Sequence, residues 1–195
     1  YLFKINIQNS INKFVKIISI LFTLFFINTN IYADEKFVGF VDSIQGDVFI
    51  NKGEETVKLN EFDQIFANQR IIVSSNSNAT ISFIDNSFLT LNSDTEFTVD
   101  KFDGTSEEPT FLLSIFNGKF TFESGRIAKA AKGVMKILLP SNQKNDLEIK
   151  SSTMILGLRG TLITGSNFEN SKQVSLIEDS LGKVGEIGID YDGET

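Results

Sequence analysis

From residue 79 to 99 the chain alternates. Ala79, Ile81 and Phe83 fall on one face, and Thr80 and Ser82 on the other. Asp85-Asn86-Ser87 breaks the run, Leu89 and Leu91 resume it, and after Asn92-Ser93-Asp94 it continues through Phe97 and Val99. A period of two, punctuated by Asn, Asp and Ser, predicts short antiparallel strands with one dry and one wet face. The same reading predicts strands over 37–43, 48–51, 56–59, 71–74, 111–116, 119–123 and 147–151, with an apolar stretch over 134–139. Residues 152–165, STMILGLRGTLITG, follow, and 173–177 and 184–189 are predicted as a last pair of strands. Turn chemistry places a hairpin across Gln45-Gly46-Asp47, a turn at Lys52-Gly53-Glu54 and another hairpin across Asn117-Gly118. Residues 61–70 suit either one helical turn or a loop wrapping a sheet edge. Residues 100–109, DKFDGTSEEP, predict a flexible acidic loop, and 140–146 a second loop. Residues 124–133, SGRIAKAAKG, bring Arg126, Lys129 and Lys132 to helical spacing. They predict a solvated helical turn, with a basic binding patch as the alternative. The total of about twelve short strands with little helix predicts an all-β fold, an antiparallel β-sandwich or roll. A parallel β-helix is the minority alternative.

Residues 1–33 depart from this pattern and predict an N-terminal signal-peptide helix. Lys13 and Lys16 precede the apolar run 17–27, Asn28-Thr29-Asn30 is polar, and Ala33 offers a small residue before Asp34. The run falls short of the roughly 20 residues a membrane crossing needs. Cleavage is expected there, with membrane contact only through an uncleaved segment. The expected organisation is a signal peptide over 1–33, a β domain over 34–165 and C-terminal strands over 166–195, read as the start of a truncated region. The expected compartment is periplasmic or secreted.

Composition narrows the chemistry. The 195 residues are 41% hydrophobic, with 19 Phe but no Trp, Cys or His. That excludes disulfides, cysteine nucleophiles, Cys/His zinc sites and histidine bases. Of 18 basic residues, Lys4, Lys13 and Lys16 precede Asp34, and none of the 25 acids does. The remainder carries 15 basic against 25 acidic residues, a balance of −10. Such a module is a poor partner for nucleic acid, where phosphate neutralisation supplies most of the affinity.

Candidate sites are few. Two glycines bracket one arginine in Gly157-Leu158-Arg159-Gly160-Thr161. The Arg fork suits carbonyls or a carboxylate, so Arg159 is read as a clamp between strands, with an anion contact as the alternative. Asp42, Asp47, Asp63, Asp85, Asp94, Asp100 and Asp103 provide carboxylates, but most sit in turns, where Asp bonds locally. Asp190-x-Asp192-Gly193 matches only a fragment of a calcium loop. No cofactor, metal or catalytic residue is predicted.

These motifs together resemble the FecR domain family of bacterial exported and periplasmic proteins. The resemblance runs from about Val38 to Gly165. It rests on Gly39-x-Val41 with Gln45-Gly46-Asp47-Val48, on the strands flanking Asp85-Asn86-Ser87 followed by Ser93-x-Thr95, and on Arg159-Gly160-Thr161. Asn86 stands where the family usually has Gly, and Asn best tolerates the left-handed conformation that Gly provides. The structural motif residues are thus Gly46, Asp47, Asp85, Asn86, Ser87, Arg159, Gly160 and Thr161.

The resemblance implies a β-rich periplasmic module. Named members relay a signal from an outer-membrane iron-siderophore receptor to a cytoplasmic sigma factor. That role needs a cytoplasmic regulatory segment and a membrane helix, and the few residues before Ile17 do not supply them. The expected function is a non-catalytic exported module for protein or envelope interaction, its partner an envelope or surface protein or glycan. A carboxylate-dependent hydrolase of a surface polysaccharide and a membrane-anchored signalling component are the alternatives.

Overall fold

The alternation becomes strand pairing along nearly all of the described chain. The computed structural model describes Lys16 and residues 35–52, 55–145, 148–168, 171–177 and 185–192. The predicted signal segment apart from Lys16, the turn at Gly53-Glu54, Leu147 and Gly193 lie outside them. Tyr1–Asp34 and Glu35–Thr195 are separate units, and the fold below is that of the second. Among the described residues no helix is long and apolar enough to cross a membrane.

The elements are β1 (Phe37–Gln45), β2 (Val48–Lys52), β3 (Glu55–Lys58), β4 (Gln64–Phe66), β5 (Arg70–Val73), β6 (Asn78–Phe83), β7 (Phe88–Leu91), β8 (Glu96–Asp103) and β9 (Thr110–Glu123). A single helical turn, α1 (Arg126–Lys129), follows, and then β10 (Val134–Asn145), β11 (Glu148–Arg159), β12 (Leu162–Phe168), β13 (Ser171–Ile177) and β14 (Glu186–Asp192). The fold is all-β, as the alternation predicts.

Two sheets share one strand. The first runs β4-β1-β6-β7-β9-β12-β13. The second runs β3-β2-β5-β8-β9-β10-β11-β14. Among the described strands only β9 with β10 is parallel, and α1 lies in the connection between them. The residues of β9 up to Asn117 pair with β8, and those from Gly118 onward pair with β7 and β12. The strand therefore carries the chain from one sheet to the other, curling the whole into a continuous surface around its core.

The inward rows make that core. Val41, Ile81, Leu89, Phe122 and Ile163 stand side by side across five strands of the first sheet, all fully buried. Each such side chain contributes about 1.5–3 kcal/mol by leaving water. Phe111 on β9 packs edge-to-face against Phe83 (4.8 Å), Phe102 (4.9 Å) and Phe122 (6.1 Å), so four rings from three strands meet there.

Several local expectations give way to tertiary pairing. The predicted hairpin across Gly46 is a corner: β1 pairs with β4 and β6, while β2 pairs with β3 and β5. Gly46 has φ +90°, and a Cβ there would lie 2.3 Å from the Ser77 hydroxyl, so the chain bends sharply against β6. Asn117-Gly118 is likewise a bend within one 14-residue strand. Gly118 has φ +97°, and a Cβ would meet Thr95 Cα at 2.5 Å. Asn167 secures this bend, its buried amide donating to the carbonyls of Ile115 (2.6 Å), Phe116 (3.1 Å) and Pro140 (2.8 Å).

The loop predicted over 100–109 begins later, because β8 runs to Asp103 by way of a bulge between Val99 and Lys101. The loop predicted over 140–146 is largely strand, since β10 extends to Asn145 along β11. Pro140 is tolerated because β9 no longer accompanies β10 beyond Leu138, leaving an edge. Residues 64–66 form β4 instead of a helical turn or a loop. The expected last pair does not form, since β13 pairs with β12 and β14 with β11.

Candidate functional site

The turn between β6 and β7 is fixed from within and from outside. Asn86 adopts φ 66°, the left-handed conformation that closes a tight turn and that Asn tolerates. Asp85 is buried. Its Oδ1 accepts from the Ser87 N–H (3.1 Å) and from the Ser87 hydroxyl. Its Oδ2 accepts from the Ile127 N–H (3.3 Å), and its carbonyl accepts from the Arg126 N–H (2.7 Å). The helical turn α1 begins at Gly125, which has no side chain to cap it. Asp85 supplies that cap from 42 residues away. Gly125 is required for the contact, since a Cβ would lie 2.3 Å from the Asp85 carbonyl oxygen. The Arg126 guanidinium completes the joint by donating to the Ile84 carbonyl (3.0 Å).

The Arg159-Gly160-Thr161 motif meets the other side of the same junction. There the chain leaves β11 in one sheet and enters β12 in the other, with Gly160 at φ +59°. The Thr161 N–H donates to the Ser124 hydroxyl, and the Ser124 N–H donates to the Thr161 carbonyl (2.9 Å). Both residues are buried. The Thr161 hydroxyl bonds the Glu186 carbonyl (3.4 Å). A Cβ on Gly185 would lie 2.3 Å from the Gly160 carbonyl oxygen, so β14 enters by close backbone approach. The tie expected of Arg159 is thus made by Thr161. Arg159 is exposed, and among the described residues its side chain makes no hydrogen bond or ion pair.

Gly46 and Asp47 lie elsewhere. Gln45 pairs with Asn78 at the start of β6, whereas Asp85 follows its end, about 20 Å away at 3.3 Å per residue. The Asp47 N–H donates to the Ser77 hydroxyl (2.9 Å), and its carboxylate pairs with Lys58. Two of the three motifs therefore converge, through Ser124-Gly125-Arg126, and the third braces the opposite end. Sequence reasoning missed Ser124, Gly125 and Ser77. The buried Ser next to Gly in SGR was the available signal, but its partners are 37 and more residues away.

Beside the Asp85 turn lies a groove of about 280 Å³. Buried Phe102 and Ile127 form its floor, Ile84, Pro109 and Ala130 its walls, and Lys36 and Arg126 its basic rim. Two segments read from the sequence as a flexible acidic loop and a solvated helical turn meet here: the loop, through Gly104, Thr105 and Pro109, and the SGRIAKAAKG segment, through Arg126, Ile127 and Ala130. Ile127 and Ala128 are buried, while Arg126, Lys129 and Lys132 are exposed. Asp103 stands 3.8 Å from Lys36. The Thr105 backbone N–H, then its hydroxyl, and Lys36 hold the Asp103 carboxyl below its ordinary pKa.

Asp63, Asp94 and Asp100 are locally engaged. Asp63 accepts from the Asn60 N–H (2.8 Å) and Asp94 from the Ser75 hydroxyl (2.6 Å). Asp100 accepts from the Ser114 hydroxyl (2.6 Å), while partial desolvation holds its carboxyl above the ordinary range. Among the described residues no group of three or more acidic side chains is placed to hold a metal ion. The arrangement provides an apolar slot with Lys36 and Arg126 at its rim.

No curated protein and no solved structure gives a significant match. The model of the FecR protein family matches residues 69–184, from the start of β5 to beyond β13, and so takes in the Asp85 turn, α1 and Arg159-Gly160-Thr161. The match opens after Gly46, leaving β1 to β4 outside it. With more than half of its length matched, the chain belongs to the FecR protein family of envelope-associated signalling and regulatory modules.

Proposed function

We propose that this chain is a non-catalytic exported module that works by holding a protein partner of the cell envelope, in a signalling or regulatory role. The observation that carries the reading is the groove at the Asp85–α1 junction. It is apolar in its floor, cationic at its rim, and Asp85 of the turn motif both lines it and caps α1 beside it. Aromatic and aliphatic surface ringed by charge is what a partner's anchor side chain needs, and arginine is enriched at such positions. Six of the seven candidate aspartates, all but Asp42, are engaged in turns, ion pairs or strand contacts. Export is supported by the leader-like pattern of residues 1–33 and by the family's usual compartment.

Affinity capture from a detergent-solubilised envelope fraction tests this. The wild-type chain should retain a discrete protein, and Arg126→Glu, which reverses the charge of the rim, should lose it while melting within a few degrees of wild type. Identical capture by both would remove the groove from the account. Turnover of a polysaccharide substrate, abolished by one Asp→Asn change, would replace binding with hydrolysis.

A further inference from the structure

The geometry points to a second binding face: the outer surface of the first sheet as a platform for an uncharged polysaccharide. Register aligns its outward side chains into rows that cross the strands. One row is Ser43, Thr80, Thr90, Thr121, Thr164 and Ser175, a hydroxyl from each of six consecutive strands, β1 to β13. The next is Phe40, Ser82, Phe88, Glu123, Leu162 and Ile177. Phe40 (41%), Phe88 (40%) and Ile177 (37%) are exposed there. On the other side of the hydroxyl row, Gln45, Asn78, Lys119 and Gln173 continue the polar surface, with the Asn78 amide donating to Gln45 (2.8 Å).

Neighbouring strands lie about 4.8 Å apart, so the hydroxyl row extends over roughly 24 Å. Its members touch: the Thr80 and Thr90 hydroxyls are 3.4 Å apart, Thr121 and Thr164 3.5 Å, and Thr164 also bonds the Phe120 carbonyl (3.1 Å). Threonine is stiff at χ1, so the row is preorganised and loses little freedom on binding. Hydroxyls both donate and accept, matching sugar hydroxyls, while the adjacent Phe rings offer faces to the C–H side of a sugar ring.

Charge selects the occupant. The chain beyond residue 33 carries −10, yet the two central rows hold one charge, Glu123, offset by Lys119 beside them. The outer face of the second sheet differs, carrying Lys58, Arg70, Glu96, Lys136, Arg159 and Glu186. A neutral face on an acidic module fits an uncharged partner. Protein docking sites are poor in Ser and Thr at their energetic centres, which favours glycan over protein here.

Native affinity electrophoresis of the full chain, in gels containing hydroxyethylcellulose, laminarin, galactomannan or dextran, tests the platform. At least one of these neutral polysaccharides should retard the protein, equally in low and high salt. Thr90→Val with Thr121→Val keeps shape and strand preference, and should weaken retardation about tenfold or more at an unchanged melting temperature. Lys58→Gln on the second sheet should bind as wild type. Retardation by none of the four, retardation only by anionic alginate and lost in salt, or an unaltered double variant would each overturn the proposal. So would loss of envelope-protein capture in the double variant without any glycan retardation. The platform shares no residue with the groove, so its failure leaves the groove reading standing.

Discussion

Replacing Asp85 by alanine removes the carboxylate that caps α1 from the β6–β7 turn. The carboxylate accepts from the Ser87 N–H, the Ser87 hydroxyl and the Ile127 N–H in a buried setting. The hydroxyl can turn elsewhere, but the two backbone donors cannot. A buried donor left unpaired costs about 1–3 kcal/mol. The longer 3.3 Å bond to Ile127 falls at the low end of that range, giving about 3–4 kcal/mol in total. For a chain of this size that lowers the melting temperature by roughly 6–16 °C, a large share of a typical 5–15 kcal/mol stability. Asp85→Asn keeps an acceptor for Ser87 but can turn an amide donor toward Ile127, and should cost about 1–2 kcal/mol. Urea unfolding followed by far-UV circular dichroism suits a protein without tryptophan. The reasoning fails if Asp85→Ala lies within 0.5 kcal/mol of wild type, or if Asn is as damaging as Ala.

Other consequences follow from single contacts. Ser124→Ala strands the buried Thr161 N–H and should cost about 1–3 kcal/mol in the same unfolding assay, against a few tenths for an exposed serine such as Ser106. Gly118→Ala combines a left-handed backbone with a clash against Thr95, and should cost about 2–4 kcal/mol; a neutral effect would show that β9 does not bend as described. Phe111→Ala empties the meeting point of four rings and should cost about 3–5 kcal/mol. Asp100 holds its proton more tightly folded than unfolded, so its ionisation erodes stability as pH rises from the ordinary aspartate pKa through the raised folded one. Asp100→Asn should therefore raise the melting temperature slightly at pH 7 and not at pH 3; the reverse order would contradict the assigned desolvation.

The β6–β7 hairpin was legible because everything it needs is local. Alternation runs from Ala79 to Leu91, Asp85 bonds Ser87 two residues on, and Asn86 accepts the left-handed turn. The class of fold followed from repeating that pattern. Gly46 and Gly118 misled for a physical reason. A glycine with positive φ permits a hairpin turn or a bend equally, and only the remote partners, Ser77 and Thr95, choose between them. The path of β9 through two sheets, and the reach of β10 and β11 beyond their apolar centres, likewise depend on pairing that composition does not encode. In the groove, DKFDGTSEEP and SGRIAKAAKG read as solvated segments because their polar residues dominate. Phe102 and Ile127, the two that form its floor, became visible only once Asp85 drew α1 against the turn.

A photo-crosslinking amino acid at position 84 tests the groove as a partner site most directly, since Ile84 is 38% exposed on its wall. In cells, irradiation should give one discrete adduct with an envelope protein, absent when the same probe replaces Val57, 40% exposed on β3. No adduct at position 84, or the same adducts from both positions, would contradict the account.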